Sequence, residues 1–141
     1  MKLYKFELEN FITYLDKLKT DRTDTRHRVK FKGLLAEHYS ELLNDADDIN
    51  LDYVTKDKDD NPIVENGKYT FEKDNERLSE LNKLYNEEVV IDETEERKAM
   101  LLSVKESVIN RGPTEFTGIE GDWYVRFCEI VEQIEYKDEQ Q

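Results

Sequence analysis

Apolar residues recur at intervals of three and four along most of the chain, which is the period of an amphipathic helix. The clearest stripe predicts a long helix over about residues 25–46, formed by Phe31, Leu34, Leu35, His38, Tyr39, Leu42, Leu43 and Ala46. Shorter stripes predict further helices over residues 9–19, from 74 or 75 to 88, over 93–110, and through the segment from Trp123 to Ile134. The pattern thus predicts about four to five helices packed as a bundle.

Two parts of the chain have the shorter period of β-strands. Residues 2–7 alternate polar and apolar side chains, and Val89-Val90-Ile91 is a short β-branched run that either pairs with residues 2–7 or forms an apolar link. Asn66-Gly67 separates two β-prone runs, and both residues accept the positive φ that a type I′ turn requires. We therefore expect a mainly α fold of the α+β class, with a small β element and a hairpin near residues 62–72.

Length and composition favour one domain. The chain has 141 residues, and only five glycines and two prolines interrupt it, so long elements are expected. We predict a single acidic helical domain over residues 1–141, with a turn-rich insertion at about 55–72 and a frayed end at 137–141. No stretch approaches the run of about 20 apolar residues that a membrane helix needs, so we expect no membrane partner.

Charge divides the molecule into two unequal parts. Thirty-four acidic and 21 basic residues give a formal net charge of −13. Residues 17–32 alone carry a net +5, which leaves −18 on the rest of the chain. The candidate partner-binding residues of this basic patch are Lys19, Arg22, Arg26, Arg28, Lys30 and Lys32.

The basic patch needs a compensating charge, because the positive end of the helix dipole already lies at a helix N-terminus. Three compensators are open. The acidic segment 87–96 could form an internal ion-pair network with the patch, an acidic surface of a partner protein could bind it, or nucleic acid could bind it. Nucleic acid is the least favoured of the three, because the −18 around the patch repels polyanions.

Clustered carboxylates form the second group of candidate partner-binding residues. Acidic side chains spaced by three or four on a helix lie about 5–6 Å apart, comparable with successive phosphates of a nucleic acid. They could therefore imitate DNA or RNA, or simply form a solvated, solubilising surface. The acidic faces comprise Glu87, Glu88, Asp92, Glu93, Glu95, Glu96, Glu129, Glu132 and Glu135.

One segment partly matches a calcium-binding loop. Asp57, Asp59 and Asn61 stand at alternate positions, as oxygen ligands of Ca²⁺ do. The sixth loop position is Pro62 instead of glycine, and the twelfth is Lys68 instead of a bidentate glutamate. The sequence therefore predicts an ordinary Asp/Asn turn and no metal site.

No residue pattern indicates catalysis. Cys128 lies on the apolar stripe of the last helix, where a free cysteine serves as a small hydrophobe, and His38 lies on the stripe of the long helix as a half-buried side chain. The chain has no nucleophile elbow, phosphate-binding glycine loop or zinc-protease motif. We expect a protein that is not an enzyme and has no cofactor.

Several short motifs resemble a family of small proteins from bacteriophages of Gram-positive bacteria, a family classed as a domain of unknown function. The motifs, spread over most of the chain, are Glu9-Asn10, Arg26-His27-Arg28-Val29-Lys30-Phe31, Asp59-Asp60-Asn61-Pro62, Leu81-Asn82-Lys83-Leu84, Glu87-Glu88-Val89-Val90-Ile91-Asp92, Ser103-Val104-Lys105 and the segment from Gly118 to Glu129. The resemblance implies a phage or prophage origin, often near tail and lysis genes, and it supplies no catalytic residues.

The expected function is therefore binding to another protein. The first hypothesis is a tail- or virion-associated component or an assembly protein, whose partner is a phage structural protein. The alternative is an inhibitor of a host nucleic-acid-binding enzyme or defence system, resembling an anti-CRISPR or DNA-mimic protein. Either role places the protein in the cytoplasm of the bacterial host, and the first also places it in the virion; the sequence predicts no oligomeric state.

Overall fold

Helices form most of the computed structural model, which describes residues 1–136; the predicted fraying of residues 137–141 lies outside them. The order is β1 (Lys2–Tyr4), a 3₁₀ turn (Lys5–Glu7), α1 (Leu8–Leu15), α2 (Arg22–Asp52), β2 (Val64–Glu65), β3 (Lys68–Tyr69), α3 (Asp74–Tyr85), β4 (Glu88–Val90), α4 (Lys98–Asn110) and α5 (Gly118–Glu132). Five helices and two small antiparallel sheets confirm the mainly α prediction.

Helix α2 is the central element of the fold. It begins where the Asp21 side chain accepts a hydrogen bond from the Asp24 backbone N–H at 2.8 Å, which caps the helix. Its buried side chains pack against α1, α3 and α4. At 31 residues it is about 46 Å long. It therefore extends past both ends of the predicted range 25–46, because Asp21 caps it earlier and Ile49 continues the core contacts later.

The core is held together by aromatic contacts at the meeting point of three helices. The Phe11 ring of α1 is fully buried and lies 5.9 Å from the Phe31 ring of α2 and 4.8 Å from the Phe127 ring of α5, between ring centroids. Burying a side chain of this size stabilises the fold by about 1.5–3 kcal/mol. These contacts fix α1 and α5 against α2, and they position the surfaces described below.

Strands β1 and β4 form an antiparallel pair in which Leu3 lies opposite Val89 and both side chains face the core. Residues 88–90 are therefore a paired strand and not only an apolar link. The predicted strand over 2–7 is too long, because the Tyr4 backbone N–H donates to the Glu7 carboxylate at 2.8 Å and residues 5–7 turn into a 3₁₀ helix. The outer edge of β1 is covered by the Gln133 side-chain amide, which both donates to and accepts from the backbone of Lys2.

The predicted hairpin is present as β2 and β3. Asn66 and Gly67 have φ angles of 54° and 78°, as a type I′ turn requires. Isolated bridges pair Val54 with Phe71 and Lys56 with Pro62, so residues 54–71 form a narrow arm outside the core. In this arm the Asp57 carboxylate accepts from the backbone N–H groups of Asp59 and Asn61 at 2.9 and 3.0 Å, which is an ordinary Asx turn.

Several helix boundaries differ from their predictions. Helix α3 ends at Tyr85 instead of residue 88, because Glu88 begins strand β4, and helix α5 begins at Gly118, before Trp123, and ends at Glu132. Helix α1 ends at Leu15, not at residue 19, because the Arg28 guanidinium donates to the Leu15 carbonyl at 3.0 Å. Leu18 still reaches the core from the turn that follows. Helix α4 begins at Lys98, not at residue 93, because Ile91 continues the strand pairing to Met1 and the carboxylate of Glu93 accepts a hydrogen bond from the Glu135 backbone N–H.

Candidate functional site

Five exposed basic side chains lie between the turn after α1 and the ninth residue of α2. None of them has a carboxylate within 4.0 Å in the part of the chain that the structure describes. We call this set the cationic edge: Lys17, Lys19, Arg22, Arg26 and Lys30. Its three α2 members are spaced by four, so they share one face of the helix.

Two members of the predicted basic patch have structural contacts instead. The half-buried Arg28 donates to the Leu15 carbonyl, as described above, and joins α2 to α1. Lys32 is half-buried and its ammonium lies 2.7 Å from the Asp16 carboxylate. Both side chains therefore have partners within the chain, and we leave them out of the set defined above.

The internal ion-pair network between segment 87–96 and the basic patch is not formed among the first 136 residues. Glu87 pairs with Lys5 at 2.6 Å. Glu93 binds the α-amino group of Met1 at 3.2 Å and, as described, the Glu135 backbone N–H. These two carboxylates thus bind the 3₁₀ turn, Met1 and the segment after α5, and neither pairs with a member of the cationic edge.

The helical spacing predicted for the acidic faces is present only in part. Asp92 and Glu96 lie in the link between β4 and α4, not on a helix. Glu129 and Glu132 are on α5, but that helix ends at Glu132, and Glu135 lies beyond it. Glu129 and Glu132 keep the predicted spacing of three on one helix, whereas Asp92, Glu96 and Glu135 do not. The other predicted acidic residues, Glu88 and Glu95, are exposed.

A regular row of carboxylates exists elsewhere, on the C-terminal part of α2. Residues 33–52 contain no lysine or arginine, and their acidic side chains are all exposed: Glu37, Glu41, Asp45, Asp47, Asp48 and Asp52. Of the charges on α2, Arg22 in the first turn and Asp52 in the last turn oppose the helix dipole, at a cost of a few tenths of a kcal/mol each. Helix α2 is thus a rigid rod with oppositely charged halves.

An aromatic pocket of about 140 Å³ lies between α1, the segment 113–116 and α5. Its walls include the rings of Tyr14, Phe116, Trp123 and Phe127. The exposed side chains of Lys17 and Glu120 also line it. Lys17 therefore belongs both to this pocket and to the cationic edge.

The pocket walls are held in place by contacts behind them. The Tyr14 hydroxyl donates to the Val108 carbonyl at 3.1 Å, and burial raises the pKa of this phenol above its ordinary value. A Cβ atom at Gly112 would overlap the Tyr14 hydroxyl oxygen, so only glycine lets the chain approach so closely. The Trp123 and Phe127 rings are stacked with centroids 5.5 Å apart.

A buried ion pair was missed by the sequence analysis. Glu7 is only 2% exposed, and its carboxylate accepts two hydrogen bonds from the Arg126 guanidinium, at 2.6 and 3.1 Å. The hydrogen bonds to Glu7 raise the pKa of Arg126. No sequence signal could have joined residues 119 positions apart. The pair connects the 3₁₀ turn, which follows β1, to α5, which carries Trp123 and Phe127 of the aromatic pocket.

Groups that could do chemistry are scarce in residues 1–136. No three histidine, cysteine or acidic side chains there are grouped closely enough to hold a metal ion. The Cys128 thiol is half-buried, and burial raises its pKa above the ordinary value, which disfavours the reactive thiolate. His38 is half-buried on α2, as expected from its position in the stripe.

Within residues 1–136, no helix is both long enough and apolar enough to cross a bilayer. A family model described as "Protein of unknown function (DUF1617)" matches residues 1–139. No curated protein matches the chain significantly. No solved structure matches it significantly either. Because the family model covers nearly the whole chain, the chain belongs to the DUF1617 family.

Proposed function

We propose that this member of the DUF1617 family is a non-enzymatic phage or prophage accessory protein that binds an acidic surface of another protein through its cationic edge. The favoured role is a tail- or virion-associated component or an assembly protein in a Gram-positive host. The observation that carries the proposal is the set of five exposed, unpaired cations within residues 1–136 of a chain whose net charge is −13.

The cost of this arrangement supports an external partner. Arg22 lies in the first turn of α2, where the helix dipole disfavours a cation, and neither Asp21 nor Asp24 forms an ion pair with it within residues 1–136. A partner carboxylate would remove that cost and would gain further stability as the contact excludes water. Nucleic acid fits less well, because acidic residues surround the edge and repel an extended polyanion.

A specific observation also favours the second role, inhibition of a host nucleic-acid-binding enzyme or defence system. Glu37, Glu41 and Asp45 follow one another at intervals of four on the acidic half of α2, and all three are exposed. This spacing, about 5–6 Å on a helix, is the one that imitation of a phosphate backbone requires. The two roles thus use opposite halves of the same helix.

Charge variants of the two halves separate these roles. In one variant Arg22, Arg26 and Lys30 are replaced by glutamate; in the matched variant Glu37, Glu41 and Asp45 are replaced by lysine. Each variant is expressed with an affinity tag during phage production. The captured proteins and the purified particles are then analysed by mass spectrometry. The proposal expects stoichiometric recovery with phage structural proteins, lost in the first variant and kept in the second.

The opposite pattern supports the inhibitor role. In that pattern, a host nuclease or another nucleic-acid-binding protein is captured, and the capture is lost only in the variant whose acidic half carries lysines. If neither variant changes what is captured or incorporated, binding does not depend on these charges and the proposal is wrong. Circular dichroism of both variants checks that each remains folded.

A further inference from the structure

We infer that the aromatic pocket is an anchor site, which takes one large apolar side chain, phenylalanine or leucine, from an acidic segment of the partner protein. The inference deepens the proposed function, on which it rests, because it names the kind of segment that the cationic edge binds. It is carried by two independent features, the dimensions of the pocket and the position of Lys17.

The volume of the pocket selects a side chain over a larger ligand. Cofactor and drug-sized sites have volumes of about 300–1,000 Å³. A cavity of about 150 Å³ with apolar walls is enough to hold benzene. The pocket, at about 140 Å³, matches a single phenyl or isobutyl group. Anchor side chains buried in such pockets supply much of the affinity of protein complexes.

The walls suit an apolar group and are already in place. Trp123 and Phe116 are half-buried; both pack against the core and both line the pocket. The Trp123 ring is stacked on Phe127, and Phe116 is stacked on Tyr124 with centroids 4.7 Å apart. Because these rings are supported from behind, binding need not reorganise them, which reduces the entropic cost of association.

Charges beside the pocket select an acidic segment and give it a direction. Lys17 lines one wall and continues into the cationic edge through Lys19, two residues further along the chain. Glu120 lines another wall and repels carboxylates on the α5 side. A segment anchored in the pocket is therefore expected to place its carboxylates on the Lys17 side and away from Glu120.

The chain contains a single tryptophan, and it lines the pocket, so its fluorescence reports occupancy without a label. The probe is the capped nonapeptide Glu-Gly-Asp-Glu-Phe-Glu-Asp-Gly-Glu, compared with the same peptide carrying alanine in place of phenylalanine. We expect the phenylalanine peptide to change the emission of Trp123 and to bind about 10- to 100-fold more tightly. Raising the salt concentration should weaken both peptides.

A matched pair of variants tests the location. Thr13 is exposed and lines the pocket, so Thr13→Phe fills the pocket from its rim without removing a core contact, whereas Thr13→Ala leaves it open. Thr13→Phe should abolish the preference for phenylalanine, and Thr13→Ala should keep it. Lys17→Glu should weaken binding of both peptides.

The failures of the two proposals differ. If both peptides bind equally and Thr13→Phe has no effect, the anchor site is wrong, while salt-sensitive binding still supports the cationic edge. If neither peptide binds, the acidic partner is wrong, and 4-phenylbutyrate then tests the pocket alone by Trp123 fluorescence. If 4-phenylbutyrate changes the Trp123 emission and Thr13→Phe abolishes that change, an apolar anchor site is supported. If 4-phenylbutyrate leaves the emission unchanged, the anchor site is overturned.

Discussion

Removal of the Arg126 guanidinium should destabilise the protein more than removal of any exposed arginine. Arg126→Met leaves the buried Glu7 carboxylate with the Tyr4 backbone N–H as its one donor among residues 1–136. Breaking a buried ion pair on one side costs about 3–5 kcal/mol. Arg126 is 32% exposed, so water can reach the site and we expect about 3 kcal/mol, the lower end of the range.

The assay is urea unfolding at pH 7, followed by Trp123 fluorescence and by far-ultraviolet circular dichroism, whose coincidence tests two-state behaviour. The expected loss lowers the melting temperature by roughly 6–12 °C for a domain of this size. Arg22→Met is the matched control, because Arg22 is exposed and has no ion pair in the described residues, and it should stay within about 0.5 kcal/mol of the parent.

A double-mutant cycle identifies the cause of the loss. Glu7→Gln removes the buried charge and keeps an oxygen that can accept from the Tyr4 N–H. The double variant Glu7→Gln/Arg126→Met should therefore have a free energy of unfolding about 1–2 kcal/mol higher than that of Arg126→Met alone. The reasoning is refuted if Arg126→Met unfolds within 0.5 kcal/mol of the parent, or if the double variant is as unstable as the two single losses added together.

Three further perturbations have expected outcomes. Gly112→Ala should cost about 1–3 kcal/mol in urea unfolding, because the added Cβ overlaps the Tyr14 hydroxyl; an unchanged midpoint would contradict this contact. Asp21→Ala should cost about 1 kcal/mol by removing the cap of α2, whereas Asp21→Asn should cost less; equal losses would exclude a capping role. The hydrogen bond to Glu80 raises the pKa of Tyr53 to about 12. A phenol whose pKa is higher in the folded protein than in the unfolded chain stabilises the folded protein, and this stabilisation is complete below the unfolded pKa of 10. It is lost as the pH rises, so the free energy of unfolding should fall between pH 10 and 12. Tyr53→Phe should reduce that fall, and an identical pH profile would contradict the assignment.

Local patterns predicted the parts of the fold that depend on neighbouring residues. The stripe containing Phe31, Leu35 and Leu42 identified α2, and Asn66-Gly67 identified the hairpin, because helix period and turn chemistry are encoded within a few positions. Helix ends were less accurate where distant groups decide them. The end of α1 depends on a guanidinium from α2, which no local pattern contains.

The candidate site shows the same division. The cluster of cations in residues 17–32 was visible in the sequence, but which of them remain exposed depends on tertiary contacts. Arg28 and Lys32 have partners on α1 or in the turn after it, and the acidic segment 87–96 is held by other groups. The aromatic pocket combines residues from three separate segments, so the stripes predicted that its rings would be apolar contacts but not that they would enclose a space.

The arm over residues 54–71 closes on itself at its base. Val54 pairs with Phe71, and the adjoining backbone hydrogen bonds join Thr55 to Thr70 and Tyr53 to Glu72. The chain therefore leaves the helical body near Val54 and returns to it near Phe71, with the two segments side by side. A short turn could join the two segments at this point. We therefore expect that shortening the arm at Asn66-Gly67 would leave the arrangement of the helices unchanged.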